Sequence, residues 1–471
     1  MSQKNETPVL VLSLLATLLL LAGGFWWFSR RLQPSDSTSN QAATPSEVSV
    51  PDSPQDLANR LSSGERLLTS DASVAKQAGV AAYAAQDYAQ AVSELEAALQ
   101  TRRNDPEALI YLNNARIGAD PAYTIAVAVP IATSVNPALE ILRGVAQAQQ
   151  EINEGGGVNG TPVKILIVSD DNDPQVAQQM ANLLVQYQEV LGVIGHFGSD
   201  ATLAAGNVYE QGRLVMISPT STSVQVSSLG NYIFRTVPSD RFTAAALSRY
   251  MLNSLQRQNA AVYYNSMSDY SQSLKNEFAT ALSTDGGQVV AEFDLADPSF
   301  SALDTLKQAA QQEAEVLVLA SNTATLDPAL QVVAVNRGNL PLLGGDSIYN
   351  PKTLQVGGES AVGMVVAVPW VLLANPQSAF VRTAKTLWGG DVNWRTAMAY
   401  DATLALAAAL QQDSSRDGVQ QALSRPGFSV MGATGTVRFL PSGDRNQAMQ
   451  LVVVEPGARS GYGYDFVPVS R

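Results

Sequence analysis

Residues 194 to 202, IGHFGSDAT, bring the chain's one histidine, two glycines and a serine to the point where an apolar run gives way to a helix start. A histidine placed after a strand has the chemistry of a general base. His196 has no serine–histidine–carboxylate order and no metal-ligand pair around it, so no catalytic residue is expected. Ser199 has a different use. A hydroxyl at a helix start, beside free backbone N–H groups, holds a carboxylate. A second loop of this kind, Pro219-Thr220-Ser221-Thr222-Ser223, follows the run LVMIS. Charge-assisted hydrogen bonds from such groups contribute about 1.5 to 3 kcal/mol each. In a plainer reading, Ser199 and Thr222 are only cap or turn residues.

Other groupings carry less. Asp170, Asp171 and Asp173 resemble half a calcium loop, but the glycine and closing glutamate do not follow at the required spacing. They are expected as a solvated strand-end cluster. Gly155-Gly156-Gly157 follows a helical stretch and precedes a strand, the reverse of a nucleotide cradle, and is expected to stop the helix. The chain has no cysteine, which excludes thiol catalysis, disulfides and thiolate metal sites, and no metal or other cofactor is expected. A net charge of -13 repels phosphate backbones and argues against nucleic acid.

These loops need a scaffold, and 471 residues with 46% hydrophobic content suffice for more than one folding unit. From Thr124 the pattern alternates strand and helix. TIAVAVP, VKILIVSD, VLGVIG and RLVMISP are runs of buried-strand type, with helices expected over 137–153 and 174–189. AAVYYN, GQVVAEF, AEVLVLA and LPLLGG form a second series, with helices over about 239–257, 269–284, 299–312 and 326–336. The fold class is therefore α/β, as two parallel-sheet lobes in series. In such sheets ligands sit at the carboxyl ends of the strands.

The chain before the lobes reads differently. After a tail over 1–7, residues 8–28 run without a charge and end in Trp26-Trp27-Phe28. At about 1.5 Å per residue a helix of that length spans roughly 30 Å, so a transmembrane anchor is expected, with a cleaved signal as the alternative. Residues 29–70, rich in Ser, Pro and Asp over 33–56, are expected to be a disordered linker. Residues 71–120 are expected to form a small all-α hairpin. Gly79, Tyr83, Tyr88, Ala91, Leu95 and Ala98 resemble one tetratricopeptide repeat, with Leu109 to Arg116 beginning a further helix. Its use would be as a spacer or as a docking surface for an envelope protein.

EINEGGGVNGTPVKILIVSDDNDP, GVIGHFGSDAT, RLVMISPTSTS, NYIFRTVPSD, GGDSIYNP and AYDATLALAAAL, in this order, resemble the leucine/isoleucine/valine-binding group of type I periplasmic binding proteins. The resemblance covers about 122–471. It implies two Rossmann-like lobes joined by a hinge: one over about 121–237 plus 369–440, the other over about 238–368 plus 441–471. Carried over residue by residue, it implies that Ser199, beside Gly198, and Thr222 hold a ligand α-carboxylate, with Thr220 adding backbone contacts. Asp346 would meet the α-ammonium, Tyr270 would line the side of the pocket, and Asp240 would stand at the hinge side. Asn322 falls where some relatives bring an aromatic residue.

Two departures stand out. The loop PIATSVNPALE is short and lacks the usual aromatic residue, and Asp200 places a negative charge directly after Ser199. At about 4 Å from an anion that charge costs roughly 1 kcal/mol in water, so Asp200 must point away or the ligand must carry a cation. The function implied is capture of an amino acid or similar zwitterion outside the cytoplasm and its delivery to an ABC transporter permease. The rival reading is an envelope protein with an empty cleft that activates cell-wall synthesis, or a ligand sensor.

Overall fold

The computed structural model describes residues 54–469. The expectations on 1–7, on the anchor at 8–28 and on 29–53 lie outside the described residues. Helix α1 (Pro54–Ala58) and the short strand β1 (Leu61–Ser62) precede three helices, α2 (Val74–Ala84), α3 (Tyr88–Thr101) and α4 (Pro106–Ile117).

The first lobe then begins with β2 (Tyr123–Val129), α5 (Val135–Glu154), β3 (Val163–Ser169), α6 (Pro174–Gln186), β4 (Val190–Ile194), α7 (Ser199–Gln211), β5 (Met216–Ser218) and β6 (Ile233–Arg235). Its sheet runs β1-β3-β2-β4-β5-β6, parallel except where β1 pairs with β3. Ile125 to Val129 are fully buried on both faces, which is why the run carries no alternation. Each such Val or Ile contributes about 1.5 to 3 kcal/mol through burial. The three-glycine run ends α5 as expected, with Gly155 as the capping residue.

The second lobe holds α8 (Asp240–Arg249), β7 (Asn259–Tyr264), α9 (Asp269–Thr284), β8 (Gln288–Asp294), α10 (Ala302–Gln311), β9 (Val316–Ala320), α11 (Leu326–Asn336), β10 (Leu342–Gly344), α12 (Pro351–Gly357) and β11 (Val365–Val368). The chain then supplies α13 (Ala379–Trp388), α14 (Trp394–Leu410), α15 (Arg416–Ser424) and the hairpin β12 (Val430–Gly432) and β13 (Gly435–Val437). Helix α14 packs along α5 and so belongs to the first lobe. Strands β14 (Gln450–Pro456) and β15 (Tyr464–Pro468) return to the second sheet, ordered β15-β14-β11-β10-β9-β7-β8. That sheet is parallel from β8 to β11, and β14 and β15 join antiparallel. This is the two-lobed type I periplasmic-binding architecture, with parallel-rich mixed sheets.

Residues 54–70 correct the expectation of a disordered linker. Leu61 and Ser62 pair with Val168 and Ile167 at the edge of the first sheet, and Arg60 forms an ion pair with Asp171. Two residues are too few to show a strand period. Helices α2 and α3 fold back on each other across Ala85–Asp87, and α4 packs against both α3 and α5. Asn114 on α4 is fully buried; its Nδ2 donates to the carbonyls of Ser63 and Ile165, both at 2.7 Å, and its Oδ1 accepts from Ile165 N at 3.1 Å. The side-chain amide thus serves as a substitute strand neighbour, and with β1 it covers an edge that would otherwise be open.

Candidate functional site

Both hydroxyl-bearing loops lie at carboxyl ends of first-lobe strands. Gly198 caps α7 and Ser199 is its first residue. A Cβ at Gly198 would lie 2.2 Å from Asn172 Oδ1, so glycine lets the loop pack against Asn172. Ser199 is buried and its Oγ accepts from Ser223 N at 3.3 Å, which ties the two loops together. Thr222 is fully buried with no hydrogen-bond partner for its Oγ1. The Thr220 hydroxyl donates to Phe197 O at 2.8 Å and so braces the loops.

His196 is fully buried. Its Nδ1 lies 2.5 Å from Asp170 Oδ2 and its Nε2 3.1 Å from the Tyr209 hydroxyl. Both ring nitrogens are spent on the fold, and its carbonyl accepts from Ser218 Oγ and Ser221 Oγ at 3.0 and 3.2 Å. Asp170 is fully buried and Asp171 nearly so, which corrects the solvated-cluster reading. Asp170 anchors His196, and Asp171 accepts from Ser169 Oγ at 2.9 Å besides pairing with Arg60.

In the second lobe Asp346 follows β10, and the Tyr270 hydroxyl donates to its Oδ1 at 2.6 Å. A Cβ at Gly345 would lie 2.7 Å from that hydroxyl, so glycine admits the tyrosine. Burial pushes the Asp346 carboxyl up, opposed by the Tyr270 hydrogen bond and the Arg395 charge. Asp240 opens α8 just after the crossing between lobes, and its N–H donates to Thr222 O at 2.8 Å. It is 1% exposed and neither carboxylate oxygen reaches a hydrogen-bonding partner. Burial pushes its carboxyl up to about 7, with Asp346 adding to the rise and the nearby Ser273 and Thr222 hydroxyls and Arg235 tempering it. Asn322 is held within the second lobe, its Oδ1 accepting from Asn265 Nδ2, in the loop after β7, at 3.0 Å and from Thr325 N in its own loop at 3.1 Å.

Ser199, Thr222, Asp240, Asp346 and Tyr270 therefore form one continuous set across the lobe boundary. Asp200 is engaged away from it, the first of the two alternatives its position next to Ser199 left open. It accepts from Asp269 N at 2.8 Å and Ser268 Oγ at 3.3 Å, at the start of α9 in the other lobe. Val224 N also crosses to Ser273 Oγ at 3.1 Å, so the lobes are in contact along this edge. Elsewhere at the junction a hollow of about 580 Å³ is lined by Glu140, Tyr349, Leu354, Asp391, Arg459 and Phe466, and by none of the eight expected residues.

Arg395 was missed. It sits near the start of α14, 5% exposed, its guanidinium 4.4 Å from the Trp394 ring centroid and 6.0 Å from that of Phe197. One terminal nitrogen donates to Tyr349 O in the other lobe at 3.4 Å, and Nε has no partner. Burial lowers its pKa, opposed chiefly by Asp346 and Glu140. The available signal was a single cation within the apolar stretch WRTAMAYDATLALAAAL.

Comparison with known proteins bears on the family and the fold. An amino acid binding protein of Pseudomonas aeruginosa is 34% identical over 124 residues, 26% of this chain and only 33% of that protein's length. The leucine-, isoleucine-, valine-, threonine-, and alanine-binding protein of the same organism is 26% identical over 318 residues, 64% of this chain and 81% of its own. The crystal structure of a leucine binding protein from Thermotoga maritima superposes with a TM-score of 0.65 at 22% identity, covering 74% of this chain and 98% of that one. The profile of the family described as Periplasmic binding protein matches residues 122–459, more than half of the chain. On this evidence the chain belongs to the periplasmic binding protein family.

Proposed function

We propose that this chain captures an amino acid or similar zwitterion between its lobes and delivers it to an ABC transporter permease. Members of the family are non-enzymatic solute binders, and membership implies an extracytoplasmic location. The observation that carries the reading is the polarity of the site. Hydroxyls and the α7 N-terminus come from the first lobe, at Ser199 and Thr222, and the buried carboxylates from the second, Asp346 held by Tyr270 and Asp240 beside Thr222. A zwitterion presents an α-carboxylate to the first group and an α-ammonium to the second. Relatives named for binding leucine, isoleucine, valine, threonine and alanine support the amino-acid class.

Thr222 Oγ1 and both Asp240 oxygens lack partners, so a ligand has donors and acceptors to satisfy, which favours a working cleft over the empty cleft of the docking rival. In this reading residues 8–28 tether the protein to the membrane, and the helices within 71–120 are fixed to the first lobe as a rigid docking or spacing element. A micromolar ligand needs about 8 kcal/mol, which two or three charge-assisted contacts plus side-chain burial supply.

The test is a thermal-shift screen of residues 54–471 against amino acids, small peptides, amides and carboxylates, after unfolding and refolding to remove any retained ligand. A ligand at one hundred times its Kd adds about 2.7 kcal/mol to folding stability, a rise of a few degrees. Asp346→Ala should then weaken binding at least tenfold. Silence across the panel overturns the reading in favour of ligand-free docking.

A further inference from the structure

Arg395 is buried at the lobe boundary without an anion in ion-pair contact. Its polar contacts are one 3.4 Å bond to Tyr349 O and the faces of Trp394 and Phe197, and Nε has no hydrogen-bond partner. A guanidinium presents five N–H donors in a planar fork, and burying it unpaired opposes folding. The other buried arginines among the described residues contrast with it. Arg235 pairs with Asp444 at 2.6 Å and donates to Ser223 O and Ser227 Oγ, both at 2.7 Å, and Arg445 pairs with Asp401 at 2.9 Å.

The neighbours of Arg395 place it at the ligand set. Phe197 directly precedes Gly198 and Ser199, Tyr349 lies three residues after Asp346, and Asp346 is the foremost charge acting on the guanidinium. Asp346 already accepts from Tyr270, and no ion pair joins it to Arg395. We infer that Arg395 is a specificity residue and that the ligand is a dicarboxylic α-amino acid, whose side-chain carboxylate meets the guanidinium. This rests on the amino-acid reading above and narrows it.

Each charged group of the ligand then has its own counterpart. The α-carboxylate goes to Ser199 and Thr222, the α-ammonium to Asp346 and Asp240, and the second carboxylate to Arg395, which can bind it through two parallel N–H donors. An aliphatic side chain would leave the guanidinium buried and unpaired. Sites built to hydrogen-bond a polar group reject analogues that lack it far more strongly than apolar pockets reject one missing methylene.

The experiment is calorimetric titration of the refolded protein with aspartate, glutamate, leucine and valine, repeated on Arg395→Gln and Arg395→Lys, with melting curves to confirm folding. The expected result is that aspartate or glutamate binds the wild type at least tenfold tighter than leucine or valine. Arg395→Gln should lose at least tenfold for the acidic ligand without loss for the neutral ones, and Arg395→Lys should fall between. Leucine or valine binding the wild type as tightly as the acidic pair overturns this inference but leaves the amino-acid reading standing. An Arg395→Gln variant with an unchanged preference overturns the role of Arg395. Silence toward all four, together with silence toward every other amino acid in the wider screen, removes both. The wild-type comparison needs no substitution, so it stands even where a variant fails to fold.

Discussion

Asp200 in the first lobe and Asp269 in the second are joined by a 2.8 Å hydrogen bond from the Asp269 N–H to Asp200 Oδ1. Asp269 is the first residue of α9, so the Asp200 carboxylate sits at the positive end of that helix and also accepts from Ser268 Oγ at 3.3 Å. The charge that would oppose an anion beside Ser199 instead fastens one lobe to the other. Gln225 Nε2, also from the first lobe, reaches Asp269 Oδ1 at 3.3 Å.

Because this contact exists only when the lobes meet, its loss should act on closure and leave each lobe intact. Asp200→Ala is expected to weaken binding of the ligand found by titration about three- to tenfold, corresponding to roughly 0.5 to 1.5 kcal/mol for one such bond. The melting temperature without ligand should change little. Equal affinities for variant and wild type would remove Asp200 from the closing contact.

Asp240 predicts a pH dependence. Its ordinary pKa is 3.8, and in the folded chain burial pushes it up to about 7. Between those limits the folded state holds a proton that the unfolded state has released. Stability is therefore lost as pH rises through this window, by an amount on the order of 4 kcal/mol for this group. Thr222, Ser273, Asp346 and Arg235 are the groups that act on it, and Asp346 is raised by burial in the same direction. Asp240→Asn should flatten the decline, giving a variant that melts above the wild type at pH 8 and not at pH 4. Parallel melting curves across that range would show that Asp240 ionises normally in the folded chain.

The same carboxyl couples binding to proton release. A ligand ammonium placed beside Asp240 favours its ionised form, so binding near pH 6 should release a proton and tighten as pH rises toward 8. Titrations in buffers of different ionisation enthalpy would read the released proton directly. Identical heats in all buffers would place the ammonium against Asp346 alone.

The scaffold was legible because β2 from Ile125 onward and all of β9 are buried runs whose residue types admit little else, and α9 and α11 begin and end where their periodicity does. The pairing of Ser199 with the Thr222 loop followed from both lying after parallel strands, and the structure joins them through Ser223 N. What stayed hidden depends on contacts far apart in sequence. Asp170 and Asp171 look like solvated acids until His196 and Arg60 come to meet them. Arg395 lies some two hundred residues from Phe197 and fifty from Asp346, and no local pattern announces that three segments enclose it. Leu61 and Ser62 become a strand only because β3 offers an edge.

Lys76 tests how firmly the helices before the lobes are built. It is 1% exposed, and its ammonium lies 2.7 Å from Glu107 and 2.8 Å from Asp105. Glu107 is itself fully buried and accepts from Leu68 N at 2.7 Å and the Tyr111 hydroxyl at 3.0 Å. One lysine thus joins α2, the N-terminal cap of α4 and the segment before α2. Lys76→Met fits an aliphatic stem but strands a buried carboxylate, and removing one partner of such a pair costs about 3 to 5 kcal/mol. The variant should melt lower and be cut faster by trypsin at Arg102 and Arg103, exposed residues at the turn between α3 and α4. Adding Glu107→Gln removes the stranded charge, so the double variant should recover part of the loss. A Lys76→Met variant within about 1 kcal/mol of wild type, the range of a surface pair, would mean that the triad contributes no more than exposed ions do.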